Sequence, residues 1–205
     1  MLKILILMLS FTFTSVILSW TTDVNLPSKV EKRMDKQLKK HFRTKNYIKN
    51  QIDISAYIHN ETSTYSYEVI NQKSSDTCFL IINVANGCKI GGCDINNSGG
   101  KQFEKFYIYS LYNTSGTLLD LHILDYQSDY GFMVTSRWWL KQFVKKSSET
   151  YKYNKNIDAL SGATKSVQSV IQEMNQNKTL IEKLTKGRFN AESDSSQNKP
   201  LSLKK

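Results

Sequence analysis

The sequence predicts an α+β fold, with helices packed on an antiparallel sheet of about five strands. Several stretches alternate apolar and polar residues with the two-residue period of a β-strand. Two of these, 103–112 and 117–126, are joined by Asn113-Thr114-Ser115-Gly116, which is typical of a hairpin loop. The strands lie between patterns of helical periodicity, an order that favours α+β over regularly alternating strands and helices.

Residues 1–20 have the pattern of a secretory signal peptide or a membrane anchor. Lys3 is the single charged residue, and the apolar run that follows, 4–20, is broken only by Ser and Thr. The run is borderline for a spanning helix, which needs roughly 20 apolar residues. Cleavage after Ser19 and retention as an anchor both remain open. Either outcome places the rest of the chain in the periplasm or on the extracytoplasmic face of the membrane.

Residues 27–50 are predicted to form a basic amphipathic helix that is an appendage or docks on one edge of the domain. Ser28 and Glu31 have the spacing of a capping box, and an apolar stripe recurs every four residues at Val30, Met34, Leu38 and Phe42. Two acidic residues, Glu31 and Asp35, offset nine basic residues in this region, which leaves a net charge of +7 of the chain's +10. The basic residues are Lys29, Lys32, Arg33, Lys36, Lys39, Lys40, Arg43, Lys45 and Lys49.

This concentration of positive charge from Lys29 to Lys49 has two interpretations. Such a helix can contact an anionic membrane surface or an acidic partner. The alternative is an ordinary solvated face on a docked helix. Nucleic acid is not an expected partner, because the chain is predicted to be exported and carries no nucleic-acid-binding motif.

Residues 51–185 are predicted to form the single main domain. Alternation from Ile52 to Ile58 indicates a first strand, 65–69 a second, and the almost continuously apolar 78–84 a buried central strand. A short helix is expected over 137–143 with Ser136 as its N-cap, and a longer one after Thr164. The polar segment 186–205 is predicted to be a disordered tail.

Three cysteines lie within the strand and loop region. Cys88 and Cys93 are separated by four residues with glycines alongside, so they can close a small disulfide ring in an oxidising compartment. A redox-active dithiol is the alternative, and Cys78 is left over in its apolar strand. No metal is predicted, because the histidines (His41, His59 and His122) lack ligand spacing with these cysteines. No catalytic residue is predicted either, since no Ser-His-Asp or paired-carboxylate pattern stands out.

The stretch Ser161-Gly162-Ala163-Thr164-Lys165 carries the strongest functional signal. It is a loop of small residues that leads into a helical pattern, so backbone N–H groups and the positive end of the helix dipole should point there. A phosphate could approach this backbone closely, because Gly162 and Ala163 add almost no bulk. The alternative is an ordinary helix start capped by Ser161 or Thr164.

Asp158-x-x-Ser161-Gly162-Ala163-Thr164 resembles the flavinylation motif of the FMN-binding domain family. That family includes the C and G subunits of the sodium-pumping NADH:quinone oxidoreductase and its Rnf relatives. The resemblance covers about 103–184. It implies that FMN is joined to Thr164 by a phosphodiester bond, installed by a separate FMN transferase that uses FAD. Asp158, Ser161, Gly162 and Ala163 would then be recognition or phosphate-binding positions. Lys165, next to Thr164, would offset negative charge.

The resemblance also implies that a glycine-bearing loop and a short helix help to hold the isoalloxazine ring. This chain has Tyr126-Gln127-Ser128-Asp129-Tyr130-Gly131-Phe132 where many members have a glutamate-threonine-proline-glycine loop. Aromatic side chains can stack on a flat ring, which makes Tyr130, Trp138 and Trp139 candidate ring contacts. For the two tryptophans, packing in the core and at an interface is the alternative.

The resulting prediction is an exported flavoprotein that carries FMN covalently and acts in extracytoplasmic electron transfer. As a redox carrier or subunit, it would need the transferase for maturation and redox proteins or a membrane electron-transfer complex as partners. Two alternatives are an exported flavin-dependent reductase of a small substrate and a cofactor-free binding domain.

Overall fold

The structure is a computed structural model that describes residues 25–57, 63–89, 103–127, 131–146 and 148–197. In chain order the elements are α1 (Ser28–Phe42), β1 (Tyr47–Gln51), β2 (Thr64–Asn71), β3 (Thr77–Lys89), β4 (Phe103–Asn113), β5 (Leu118–Leu124), a 3₁₀ turn (Phe132–Thr135), α2 (Arg137–Lys145) and α3 (Thr164–Gln197). The predicted α+β fold with a five-stranded antiparallel sheet is confirmed. The predicted signal or anchor segment, 1–20, lies outside the described residues.

The sheet is a meander in which each strand pairs with the next along the chain. Its order is β1-β2-β3-β4-β5, and every pair is antiparallel. The central strand β3 is the apolar stretch that the sequence indicated, and Leu80, Ile81 and Ile82 are completely buried there. A register shift between Asn86 and Lys89 interrupts its pairing with β4. Because successive residues of a strand point to opposite faces, burial of these three residues shows that β3 is covered on both faces of the sheet, as its apolar composition predicts.

Alternation along β3 sends side chains into two separate cores. Phe79 and Ile81 pack with α2 and α3 on one face of the sheet. Leu80 and Ile82 pack on the other face with α1, whose Val30, Met34 and Leu38 are almost entirely buried; both sets are part of larger clusters. The structure thus has three layers. The prediction that α1 is an appendage or docks on an edge is wrong, because its apolar stripe covers a whole sheet face.

The first helix and strand differ from their predicted bounds. α1 ends at Phe42, because Arg43 takes a left-handed conformation (φ 53°) and closes the helix; residues 43–50 therefore do not continue it. The expected capping box at Ser28 is not formed: Pro27 is the N-cap, and no side chain caps the helix. The first strand is Tyr47–Gln51 rather than 52–58.

A local hydrogen bond explains the shifted strand. The carboxylate of Asp53 accepts a hydrogen bond of 2.9 Å from the backbone N–H of Ser55, which forms an Asx turn just after β1. Ile54 follows the bend into the core shared with α2 and α3, whereas Tyr47 packs on the α1 side. Ile54 therefore buries its side chain, and Ile52 packs against the same core, although neither belongs to a strand.

The last helix begins where the sequence predicted and runs further. α3 continues to Gln197, beyond the predicted domain end at residue 185 and into the segment expected to be disordered. Residues 198–205 of that predicted tail are not among the described residues. Val167, Val170 and Met174 form its fully buried face against the sheet. Within the described residues, no helix combines the length and apolar character needed to cross a membrane.

Candidate functional site

The helix start at Thr164 is built on a tight turn from Leu160 to Ala163. The N–H of Ala163 donates to the carbonyl of Leu160 at 3.1 Å, and the N–H of Val167 donates to the carbonyl of Ala163 at 2.9 Å. Gly162 takes a left-handed conformation (φ 71°) in this turn and is exposed. Glycine is favoured at this position because of the positive φ. Space is not the reason, since an added Cβ would meet no atom within 4 Å.

Ala163 therefore occupies the N-cap position of α3, and it has no side-chain oxygen with which to cap. Alanine is among the poorest N-cap residues, costing about 1 kcal/mol relative to serine or aspartate. Neither Ser161 nor Thr164 is the N-cap, so the alternative of an ordinary capped helix start is not what the structure contains. Thr164, the first helical residue, is exposed, and its hydroxyl has no hydrogen-bond partner in the described part of the chain.

A second glycine turn packs directly against this one. Gly131 is also left-handed (φ 74°), and an added Cβ would lie 2.9 Å from the Tyr126 hydroxyl and 3.1 Å from the Cβ of Ala163. The first distance would force the tyrosine to shift and the second is unusually tight, and the positive φ adds backbone strain for any other residue, so glycine suits this position best. The loop expected to lie beside the helix start is thus brought there by Gly131. Tyr130, a candidate ring contact, falls outside the described residues.

Hydrogen bonds hold the first turns of α3 against the ends of two strands. The hydroxyls of Ser166 and Tyr126 share a hydrogen bond of 3.0 Å, which links the helix to the chain just after β5. The hydroxyl of Ser169 donates to the carbonyl of Asn86 in β3 at 2.7 Å. These contacts fix the direction of the helix. Sequence reasoning did not identify Ser166 or Ser169, because small polar residues in a helix carry no distinctive pattern.

The α2 helix holds the other end of the motif. The indole N–H of Trp139 donates to the carbonyl of Asp158 at 2.9 Å, and the N–H of Asp158 donates to the side-chain oxygen of Gln142 at 3.0 Å. Trp139 is completely buried, whereas Trp138 is 52% exposed. Of these two candidate ring contacts, only Trp138 is accessible to a ligand. Trp139 positions the loop instead.

Three large apolar side chains are exposed on the segment that joins these two attachment points. Phe132 is 60% exposed, Met133 36% and Trp138 52%. The segment begins at Gly131, which contacts Ala163, and it reaches Trp139, which bonds Asp158. The exposed side chains are therefore held near the motif at both ends of their segment. Exposed apolar groups of this size commonly mark a binding surface.

The surroundings of Thr164 suit a covalently attached phosphate. The hydroxyl lies at the N-terminus of a 34-residue helix, where the dipole is equivalent to roughly half a positive elementary charge. Gly162 is exposed and adds no side chain beside the backbone, and the exposed Lys165 places a cationic side chain next along the chain. The exposed carboxylate of Asp158 lies on the other side of the turn and is held by its backbone.

The cysteines divide between the two ends of β3. Cys78 at its start is free and buried, as predicted, and burial raises the pKa of its thiol to about 11. At the other end, an added Cβ on Gly87 would lie 3.6 Å from the Ser166 hydroxyl, so the chain enters the Cys88 segment beside the start of α3. The predicted Cys88–Cys93 bridge itself lies outside the described residues and side chains.

His122 lies in β5 and has a partner that the sequence analysis did not identify. A hydrogen bond of 3.1 Å joins its Nε2 to the carboxylate of Asp120, two residues earlier. Burial acts to raise the pKa of Asp120, but the hydrogen bond and charge of His122, with His41 nearby, outweigh it and lower that pKa. In the described ranges, no group of three or more His, Cys, Asp and Glu side chains could hold a metal ion.

Comparison of the chain with models of protein families, with curated proteins and with solved structures finds no match. The function must therefore be inferred from the groups around Thr164. These are an exposed hydroxyl, a helix whose N-cap is an alanine, two glycine turns in contact, and exposed apolar side chains nearby. Together they could hold a phosphate-bearing group with a flat apolar part.

Proposed function

We propose that this protein is an exported flavoprotein that carries FMN through a phosphodiester bond on Thr164 and transfers electrons outside the cytoplasm. The observation that carries the proposal is the exposed hydroxyl of Thr164, which follows an alanine N-cap and has no hydrogen-bond partner among the residues that the structure describes. A helix start with no other role would more often be capped by a serine, threonine or aspartate side chain. The resemblance of the surrounding motif to flavinylation sites supplies the identity of the group.

Exposure of Thr164 also suits installation of the group by a separate FMN transferase. In that reaction the Thr164 oxygen forms a bond to the FMN phosphorus of FAD, the bond between the two phosphates breaks, AMP leaves, and the hydroxyl proton is released. The transferase must reach the hydroxyl, which a buried or hydrogen-bonded threonine would hinder. Backbone N–H groups at the start of α3 would then stabilise the phosphodiester charge.

The protein's remaining contribution would be to orient the flavin and limit the access of water. FMN supplies the one- and two-electron redox chemistry when it is bound. Phe132, Met133 and Trp138 offer apolar surface against which an isoalloxazine ring could lie. Trp139 and Gln142 hold the backbone of Asp158, so the turn that presents Thr164 keeps its shape. The electron donor and acceptor would be other redox proteins or a membrane electron-transfer complex.

The test is the intact mass of the protein after co-expression with an FMN transferase in a host that exports it. We expect the wild type to gain the mass of one FMN less one water and to fluoresce as a flavin in a denaturing gel. Thr164→Ala should gain neither. Thr179→Ala, an exposed threonine in the same helix, is the matched control and should be modified like the wild type.

Two outcomes would count against the proposal. Covalent flavin retained in Thr164→Ala would place the attachment elsewhere. No added mass in the wild type, with a transferase that modifies a known substrate in the same cells, would favour a cofactor-free binding domain. A flavinylated protein that turns over a small substrate, and loses that turnover but not its flavin when Cys88 and Cys93 are replaced, would indicate a reductase instead.

A further inference from the structure

The outer face of α1 carries an unusual density of unpaired cations. Lys29 and Arg33 pair with Asp125 at 2.6 and 3.5 Å, and Lys49 pairs with Asp35 at 2.8 Å. The other basic residues of this region are exposed, and none forms an ion pair within the residues that the structure describes: Lys32, Lys36, Lys39, Lys40, Arg43 and Lys45. These six cations therefore lie close together in the chain, between Lys32 and Lys45.

Helix geometry arranges these cations as a stripe that points away from the protein. At 3.6 residues per turn, Lys32, Lys36 and Lys39 fall on one side of α1, with Lys40 at its margin. That side is opposite the buried residues Val30, Met34 and Leu38. We call Lys32, Lys36, Lys39 and Lys40 the basic stripe. Glu31 and Asp35, the acidic residues of the helix, lie towards Lys49 at its flank.

We propose that the basic stripe docks this protein on a bilayer that contains anionic phospholipid. A row of lysines on an outward helix face complements a plane of phosphate headgroups, and its long side chains reach the surface without burying their charge. The position of α1 also fits, because it begins just after the apolar run 4–20 that is predicted to enter the membrane. Residues 21–27 can span at most roughly 25 Å, so a retained run would keep α1 close to the bilayer.

This docking would also fix which way the candidate site faces. α1 and α3 pack on opposite faces of the sheet. A bilayer against α1 would leave the start of α3, with Thr164 and the exposed Trp138, on the far side of the protein. A soluble partner could then reach that site. The proposal does not depend on flavin, because the stripe and its lipid contact are independent of Thr164.

The first test is lysine acetylation of the full-length chain in the presence of vesicles, read by mass spectrometry. We expect vesicles of phosphatidylglycerol and phosphatidylcholine to reduce acetylation of the basic stripe severalfold, and pure phosphatidylcholine vesicles to have no such effect. Lys152 and Lys155, exposed elsewhere, serve as internal controls and should react equally with both. Salt at about 0.5 M should abolish the protection, because the Debye length then falls below about 5 Å.

The second test is a comparison of two variants with the same change in charge. Replacing all four stripe lysines with glutamine should weaken binding to phosphatidylglycerol vesicles by roughly 100- to 1,000-fold. The control replaces four exposed lysines outside α1 with glutamine, Lys141, Lys145, Lys152 and Lys155, and should bind within about threefold of the wild type. Equal losses in both variants would show a net-charge effect and overturn the proposal. The proposal would also be overturned if vesicle binding did not depend on phosphatidylglycerol, or if an acidic protein protected the stripe from acetylation and the vesicles did not.

Discussion

Replacing Glu173 with glutamine is expected to stabilise the protein above neutral pH by about 3 kcal/mol. Glu173 lies on α3 with only 3% of its surface exposed. Its Oε2 atom has no hydrogen-bond partner among the described residues. Burial raises the pKa of Glu173 to about 7, from an ordinary value of 4.5, and the nearby Asn83 amide offsets part of that rise.

The sign of the pH dependence follows from which state holds the proton. Below pH 4.5 the carboxyl is protonated in both the folded and unfolded chains, so it contributes nothing to the pH dependence. Between pH 4.5 and about 7 the folded protein keeps the proton that the unfolded chain has lost, so stability falls as the pH rises. Each unit of pKa difference corresponds to about 1.4 kcal/mol, and the difference of about 2.5 units gives the expected loss.

The measurement is urea unfolding of the wild type and Glu173→Gln at several pH values from 4 to 8. Glutamine keeps the size of the side chain but cannot ionise, so its advantage should be small at pH 4 and largest above pH 7. Glu182→Gln makes the same chemical change at an exposed position of α3 and should track the wild type within about 0.5 kcal/mol. A constant difference between Glu173→Gln and the wild type across this range would refute the reasoning.

Three further substitutions test the packing around α3 by urea unfolding and, for the first, by flavin mass. Gly131→Ala should destabilise the fold by about 2 kcal/mol and reduce flavin attachment, because its Cβ would meet the Tyr126 hydroxyl at 2.9 Å. Stability and flavin attachment equal to those of the wild type would disprove the contact. Trp139→Phe should cost about 1–3 kcal/mol, since the Asp158 carbonyl loses its donor, and a neutral result would rule out that bond. Asn177→Ala should cost about 2–3 kcal/mol, because it removes the two hydrogen bonds between Asn177 and Asn83 and the one to the Ser110 hydroxyl; unchanged stability would contradict the buried network.

Most of the sheet could be predicted because its signals are local. The apolar run at 78–84 and the hairpin residues 113–116 each determine an element without reference to the rest of the chain. β4 and β5 accordingly lie within two residues of their predicted bounds, and β3 begins within one residue of its predicted start but continues to Lys89. The start of α3 was also predictable, because Gly162 ends the preceding turn and helical periodicity begins at once.

The first strand and the role of α1 depend on contacts that are distant in sequence. Ile52 and Ile54 alternate like strand residues, and the backbone N–H of Ile52 still donates to the carbonyl of Ser66 in β2. The Asp53–Ser55 hydrogen bond then bends the chain, so the strand does not continue to residue 58. α1 has a narrow apolar stripe, which on its own is compatible with either an edge or a face. Only the presence of a second apolar face on β3, at Leu80 and Ile82, decides that α1 must cover it.

The candidate site was predictable in its centre and not in its supports. The small residues 161–164 predict a tight turn that leads into a helix, and the structure has such a turn directly before α3. The two tryptophans could not be assigned to core or surface from sequence, because adjacent helical positions differ by about 100° and either could face inward. The structure resolves this by burying Trp139 and exposing Trp138. The closeness of Gly131 to Ala163 depends on how two loops pack.

The stability of α3 explains how its N-terminus can lack a capping side chain. An alanine N-cap costs about 1 kcal/mol relative to serine or aspartate. Val167, Val170 and Met174 are fully buried within the first three turns, and each such burial contributes about 1.5–3 kcal/mol. The packing of the helix thus outweighs the missing cap several times over, and the helix does not need a cap in order to form. The first N–H groups of α3, which a capping side chain would otherwise bind, therefore remain available for the phosphate that we propose at Thr164.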